Sequence, residues 1–144
     1  MPERHGLITT AELAAILDQP DLRFFDCTTY LEYQPAGSDI PYIAVPGRHS
    51  FEAGHIPGAT HLYWMDNLVS RENPVLRPVE ELRAIYLKAG VAGGTSVVTY
   101  CRTGMQSSYD YFVTKYLGYD AKMYDASFIE WSWEELPVES SVKH

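Results

Sequence analysis

The chain is most constrained between residues 95 and 118. Thr95-Ser96-Val97-Val98-Thr99-Tyr100 is a β-branched, apolar run of the kind that forms a strand covered on both faces of a sheet. It ends at Cys101. Arg102-Thr103-Gly104 then turns the chain, and Met105, Tyr109, Phe112, Val113, Tyr116 and Leu117 recur at helical spacing up to Gly118, a C-terminal stop. A buried strand that leads through a tight turn into a helix implies a crossover to a parallel neighbour, so an α/β layer architecture is expected.

The same junction has chemical consequences. A helix start leaves backbone N–H groups unpaired, and its dipole adds positive potential at the turn. Cys101 sits there with the Arg102 guanidinium beside it, an environment that favours thiolate over thiol. The competing reading is that Cys101 simply fills the core, as most cysteines do. Arginine and glycine in the turn suit an anion cradle better than a packed interior.

Elsewhere strands and helices alternate. Leu7-Ile8-Thr9 reads as a short first strand, with Thr10 capping a helix that runs to Leu17 before Pro20-Asp21. Leu22 to Phe25 reads as a strand ending at Asp26. Residues 29 to 50, with Pro35, Gly37, Pro41, Pro46 and Gly47, read as a long irregular connection. After a helical turn near Phe51, a strand is expected over 60–63 and a helix over 78–88, with Glu80 and Glu81 in its first turn and Gly90 beyond its end. A last strand is expected over 121–125 and a last helix over 128–136, stopped by Pro137. Helical crossovers imply a mostly parallel sheet with helices on both faces and an active site at the carboxyl ends of its strands, where both Asp26 and Cys101 fall.

At 144 residues the chain is expected to form one domain, with a core over about 7–137 and short polar tails. Its 46% hydrophobic and 21% charged residues are those of an ordinary globule. The net charge of −8 argues against nucleic-acid and anionic-membrane partners, which need basic patches. A local ring of amides with one arginine still permits a small anionic substrate. Two cysteines make no disulfide scaffold, and neither a signal-peptide pattern nor a transmembrane run is read, so a cytoplasmic, reducing setting is expected.

Cys101-Arg102-Thr103-Gly104-Met105-Gln106 resembles the six-residue active-site loop of the rhodanese family of sulfurtransferases. Phe51-Glu52-Ala53-Gly54-His55-Ile56-Pro57-Gly58-Ala59 is similar to that family's N-terminal signature, and Ala121 to Trp131 to its C-terminal one, with Ala126 in place of a usual glycine. The three stretches follow in family order. The resemblance implies a rhodanese-like α/β domain with a five-stranded, mostly parallel sheet. It also implies that a Cys101 persulfide carries sulfane sulfur from a small anionic donor, most readily thiosulfate, to a nucleophile such as cyanide, a thiol or an acceptor protein. Arg102 would bind the donor, and the amides of Thr103, Gly104, Met105 and Gln106 would cradle the sulfur. No cofactor is implied.

Other readings are weaker. The dual-specificity phosphatases of the same fold resemble His-Cys-x5-Arg, whereas Tyr100 precedes the cysteine here, Ser107 stands where that arginine would be, and the loop is one residue short. The five histidines, His5, His49, His55, His61 and His144, have no metal-ligand spacing with a cysteine, so no metal is expected. His55 is read as bonding backbone at the Pro57-Gly58 turn, in a supporting role. Asp26 either ties its strand end to the following loop or tunes Cys101. Arg48 either reaches the donor anion or is a solvated surface residue. Cys27 is either a small buried residue or a resolving thiol facing the rim of Cys101. Tyr109, Tyr111, Tyr116 and Tyr119 are read as core aromatics. An alternative to the enzyme is a sulfur-relay or regulatory module that docks on a partner protein.

Overall fold

Side chains alternate between the two faces of a strand, and that alternation sorts the core of this protein into two layers. The computed structural model describes residues 6–39, 42–102 and 106–140. In chain order the elements are α1 (Thr10–Ile16), β1 (Leu22–Asp26), β2 (Thr29–Tyr33), β3 (Tyr42–Pro46), α2 (Arg48–Ala53), β4 (Thr60–His61), a 3-10 turn (Trp64–Asn67), α3 (Val79–Lys88), β5 (Ser96–Tyr100), α4 (Ser107–Tyr116), β6 (Asp120–Met123) and α5 (Ser127–Trp133).

The main sheet has the order β4-β1-β5-β6, with every pair parallel. The fifth strand expected at residues 7–9 is a single parallel bridge, Leu7 to Met123, at the β6 edge. It closes early because Thr9 caps α1. The Thr9 hydroxyl accepts from Glu12 N–H and the Glu12 carboxylate accepts from Thr9 N–H, a reciprocal capping box that moves the helix start one residue ahead of the expected Thr10 cap.

Odd and even strand positions then go to opposite sides. Phe25, Cys27, Val97 and Cys101 join Leu82 and Tyr86 of α3 and Val113 of α4 in one core, which Leu117 completes just past the end of α4. Leu22, Phe24, Val98 and Tyr100 join Leu13 of α1 and Trp131 of α5 in the other. Helices therefore cover both faces. The link from β1 leads towards β4 on one side, whereas the helix after β5 leads to β6 on the other. The neighbouring carboxyl ends of β1 and β5 thus form the topological switch point, where open α/β sheets place their sites.

Four expectations fail in whole or in part. Residues 29–50 are not irregular: β2 and β3 pair antiparallel from Thr29 with Pro46 to Tyr33 with Tyr42. The breakers lie outside the paired interior, Pro35 and Gly37 in the connecting turn and Pro46 at the last pair, where a missing N–H is tolerated. Gly47 follows, and a Cβ there would meet the Thr28 carbonyl oxygen at 2.6 Å, so the chain needs glycine to pass. The aromatic stripe of α4 is only partly its buried face: Tyr109 and Tyr111, like Tyr119 beyond the helix, pack against the core as expected. Phe112 and Tyr116 are exposed and stacked on each other, while Ser107, Asp110, Val113 and Thr114 face inward. Finally, α5 ends at Trp133 rather than residue 136, and the strand expected over 60–63 stops at His61 as the 3-10 turn begins.

Candidate active site

Cys101 follows the last residue of β5, at the switch point, and is fully buried. Its backbone is gripped from the α5 side. The Cys101 N–H donates to Ser127 Oγ at 3.1 Å, and that hydroxyl donates to the Tyr124 carbonyl at 2.8 Å. The first amides of α5 return the contact: Phe128 N–H donates to the Cys101 carbonyl at 3.0 Å and Ile129 N–H to that of Arg102 at 3.1 Å. Ser127 reaches this position at φ +57, left-handed backbone that costs a non-glycine residue of order 1 kcal/mol. Ala126, the departure from the family's glycine, is relaxed in the right-handed helical region. The left-handed backbone lies at Ser127, one residue after Ala126.

Arg102 is exposed next to the buried thiol. Thr103, Gly104 and Met105 lie outside the described residues. Gln106 is half-buried and leads into α4, whose first residue, Ser107, is buried and whose carbonyl accepts from the Thr99 hydroxyl at 3.0 Å. The start of α5 therefore bonds the backbone of Cys101 and Arg102, and α4 is the next element along the chain.

Alternation along the chain separates Asp26, the last residue of β1, from Cys27, which follows it. Asp26 is buried on the same side as Tyr100, where it ties loops together: its carboxylate accepts from Thr28 N–H at 3.0 Å and lies beside the Tyr100 phenol. That phenol accepts from Ile56 N–H at 3.0 Å, and burial, followed by the Asp26 charge, pushes it far above its ordinary value. Cys27 instead shares the face of Cys101.

His55 is buried and stacked on Phe51, with ring centroids 3.9 Å apart. Its Nδ1 lies 2.6 Å from the Phe51 carbonyl and its Nε2 3.2 Å from the Glu139 carboxylate. Glu139 also accepts from Gly58 N–H at 3.0 Å, which, as the main cause, holds its carboxyl below the usual range. The His-Ile-Pro-Gly turn and the C-terminal segment are thereby pinned to each other. Arg48 is exposed and ion-paired with Glu52 at 3.1 Å, and it lines an open groove with Phe51, His55, Thr60 and His61. Cys101 is not part of that lining. Among the described residues no group of histidine, cysteine and carboxylate side chains is arranged to hold a metal ion, and no helix is long and apolar enough to cross a membrane.

Sequence reasoning missed a buried polar cluster beside Cys27. Asp110 of α4, fully buried, accepts from Asn67 Nδ2 at 2.7 Å and from the Tyr86 hydroxyl at 3.1 Å, both on Oδ1. Burial raises its carboxyl to about 6 despite the donors Cys27, Asn67 and Tyr86. The only signal in the sequence was the spacing 107, 110, 113, 114, 117, which marks an inward face made mainly of small and polar residues.

Comparisons agree with this architecture. A family model described as Rhodanese-like domain matches residues 9–134. The chain is 41% identical over 90 residues to "Sulfur carrier protein TtuD" of Thermus thermophilus, covering 60% of this chain and 30% of that protein. It is 36% identical over 98 residues to a "Putative thiosulfate sulfurtransferase" of Mycolicibacterium smegmatis, covering 66% and 35%. The chain thus spans about a third of the length of these relatives. Among solved structures, an anaerobic ergothioneine biosynthesis enzyme from Chlorobium limicola superposes with a TM-score of 0.71 at 25% identity, over 99% of this chain and 34% of that one. A "Probable Thiosulfate Sulfurtransferase" gives 0.59 at 25% identity, over 95% and 49%. With its parallel sheet, its cysteine at the switch point and the family model matched along most of its length, the chain belongs to the rhodanese-like domain family.

Proposed function

We propose that the protein is a sulfurtransferase in which Cys101 carries sulfane sulfur as a persulfide. The observation that supports this most is the placement of Cys101 at the end of β5, gripped by the start of α5 and followed by α4. In the first half-reaction the Cys101 thiolate attacks the outer sulfur of thiosulfate. The S–S bond of the donor breaks, its electron pair leaves with sulfite, and Cys101–S–S⁻ remains. In the second, cyanide, a thiol or an acceptor protein attacks the terminal sulfur and frees the thiolate.

Arg102, exposed beside the thiol, binds the sulfonate end of the donor, and the amides from Thr103 to Gln106 receive the charge on the terminal sulfur. Arg48, engaged with Glu52, is assigned only the capture of an approaching anion. Asp26 and His55 support the turns around the site. This chemistry needs a free thiol and suits a reducing compartment such as the cytoplasm. Thiocyanate formation from thiosulfate and cyanide tests the reading: Cys101→Ser is expected to abolish it, and turnover surviving in that variant would contradict the assignment.

A second reading, in which the domain relays sulfur to a partner protein without rapid turnover on small acceptors, is favoured by the similarity to a sulfur carrier protein. Transfer of labelled sulfur from the loaded chain to candidate thiol proteins, set beside cyanide turnover, separates the two.

A further inference from the structure

Cys27 and Cys101 are next-door neighbours on parallel strands. The ladder between β1 and β5 runs from Leu22 with Ser96 to Asp26 with Tyr100, so one further step aligns Cys27 with Cys101. That step is made, because Cys27 N–H donates to the Tyr100 carbonyl at 2.7 Å. Both side chains are fully buried in the same core, and neither is in a disulfide. Adjacent strands lie about 5 Å apart, inside the Cα separation that a disulfide spans.

A proton acceptor stands beside the pair. The Cys27 thiol donates to the Phe25 carbonyl at 3.6 Å and lies within hydrogen-bonding range of Asp110. Asp110 Oδ1 is occupied by Asn67 and Tyr86, whereas its Oδ2 is buried with no donor aligned on it among the described residues. Rotation of one S–H bond, from the Phe25 carbonyl towards Oδ2, would satisfy that oxygen and give the thiol proton a destination.

We propose that Cys27 is a resolving nucleophile, so that this site has a second outcome: discharge of its sulfane sulfur as hydrosulfide with formation of a Cys27–Cys101 disulfide. This rests on Cys101 being loaded as described above. Cys27 passes its proton to Asp110 Oδ2, and its sulfur attacks Cys101 Sγ. The Cys101 Sγ–Cys27 Sγ bond forms while the bond to the outer sulfur breaks; the electron pair leaves with that sulfur, which takes back the proton held by Asp110 and departs as hydrosulfide. The two thiols are oxidised and the sulfane sulfur is reduced, so no outside oxidant is needed; a dithiol reductant restores the pair. Burial, then the Asp110 charge, keeps the Cys27 thiol well above its ordinary value, which makes resolution slow and leaves priority to an acceptor when one is present.

Intact mass and released sulfide test this on the full chain. After excess thiosulfate without acceptor, the wild type is expected to end two hydrogens lighter than its reduced form with one hydrosulfide released, while Cys27→Ser and Cys27→Ala keep one added sulfur and release none. Asp110→Asn is expected to load sulfur but release sulfide more slowly. A wild type that retains its added sulfur as long as the Cys27 variants would overturn the proposal, and an unchanged release rate in Asp110→Asn would overturn the proton acceptor. Treatment of the reduced chain with diamide separates this from the loading reaction. Closure of the Cys27–Cys101 disulfide in a chain that thiosulfate does not load would sustain the pair and overturn the sulfur-transfer reading, whereas no closure would overturn the pair.

Discussion

Asp110→Asn probes how a carboxylate came to be buried beside Cys27. Asp110 has no solvent exposure, and burial lifts its carboxyl from 3.8 to about 6. A folded-state value above the unfolded one means that the native chain binds the proton more tightly. The stabilising effect of the protonated acid is therefore complete below about pH 4 and is lost as pH rises through about 6. A rise of about two units, at roughly 1.4 kcal/mol each, corresponds to about 3 kcal/mol. Asparagine has the same shape, stays neutral, and offers a carbonyl oxygen to Asn67 and Tyr86 in place of Oδ1. The variant is expected to be more stable than wild type by up to about 3 kcal/mol near pH 7 and nearly equal to it near pH 4. Urea unfolding of both proteins across this range measures the difference, and contributions from other carboxylates cancel. A variant less stable than wild type at neutral pH, or a difference independent of pH, would refute the reasoning.

Three other substitutions test separate parts of the account. Arg102→Ala is expected to raise KM for thiosulfate about tenfold, the equivalent of one charge-assisted contact of about 1.5 kcal/mol, and to affect a monoanionic donor less; equal effects would instead point to a role in tuning Cys101. Gly47→Ala should lower stability by about 1–3 kcal/mol, because its Cβ meets backbone of Thr28 rather than a movable side chain, and an unchanged urea midpoint would show that this crossing yields easily. Thr9→Ala should cost about 1 kcal/mol through loss of the capping box, with Thr9→Ser recovering most of it in thermal unfolding; no loss would leave the helix start uncapped in practice.

What could be read from the sequence was local. The path from Ser96 through Cys101 into α4 is written in consecutive residues, a β-branched run, a turn and a helix, and the structure places it at the sheet's switch point. The hairpin was hidden because Pro35, Gly37, Pro41 and Pro46 dominate its composition, whereas the residues that pair, Thr29 to Tyr33 and Tyr42 to Val45, are good strand formers. The face of α4 was misread in part, for a related reason. Phe112 and Tyr116 carry the largest apolar surfaces yet lie exposed, while Asp110 turns inward because its partners arrive from the 3-10 turn and α3, more than twenty residues away in sequence. Polar burial of that kind depends on distant donors and leaves little local trace. For the site itself, period-two alternation alone was enough to put Asp26 and Cys27 on opposite faces; what the sequence lacked was the register that sets Cys27 beside Cys101.

The central claim, that Cys101 carries the sulfur, is tested most directly by intact mass in a Cys27→Ser background, where resolution cannot empty the site. Incubation with thiosulfate is expected to add one sulfur atom to Cys27→Ser, with one sulfite released, and cyanide should then remove that sulfur as thiocyanate in equal amount. The double variant Cys27→Ser/Cys101→Ser should gain nothing. A chain that stays at its original mass with thiosulfate and with other sulfane donors, or a gain that persists without Cys101, would contradict the account.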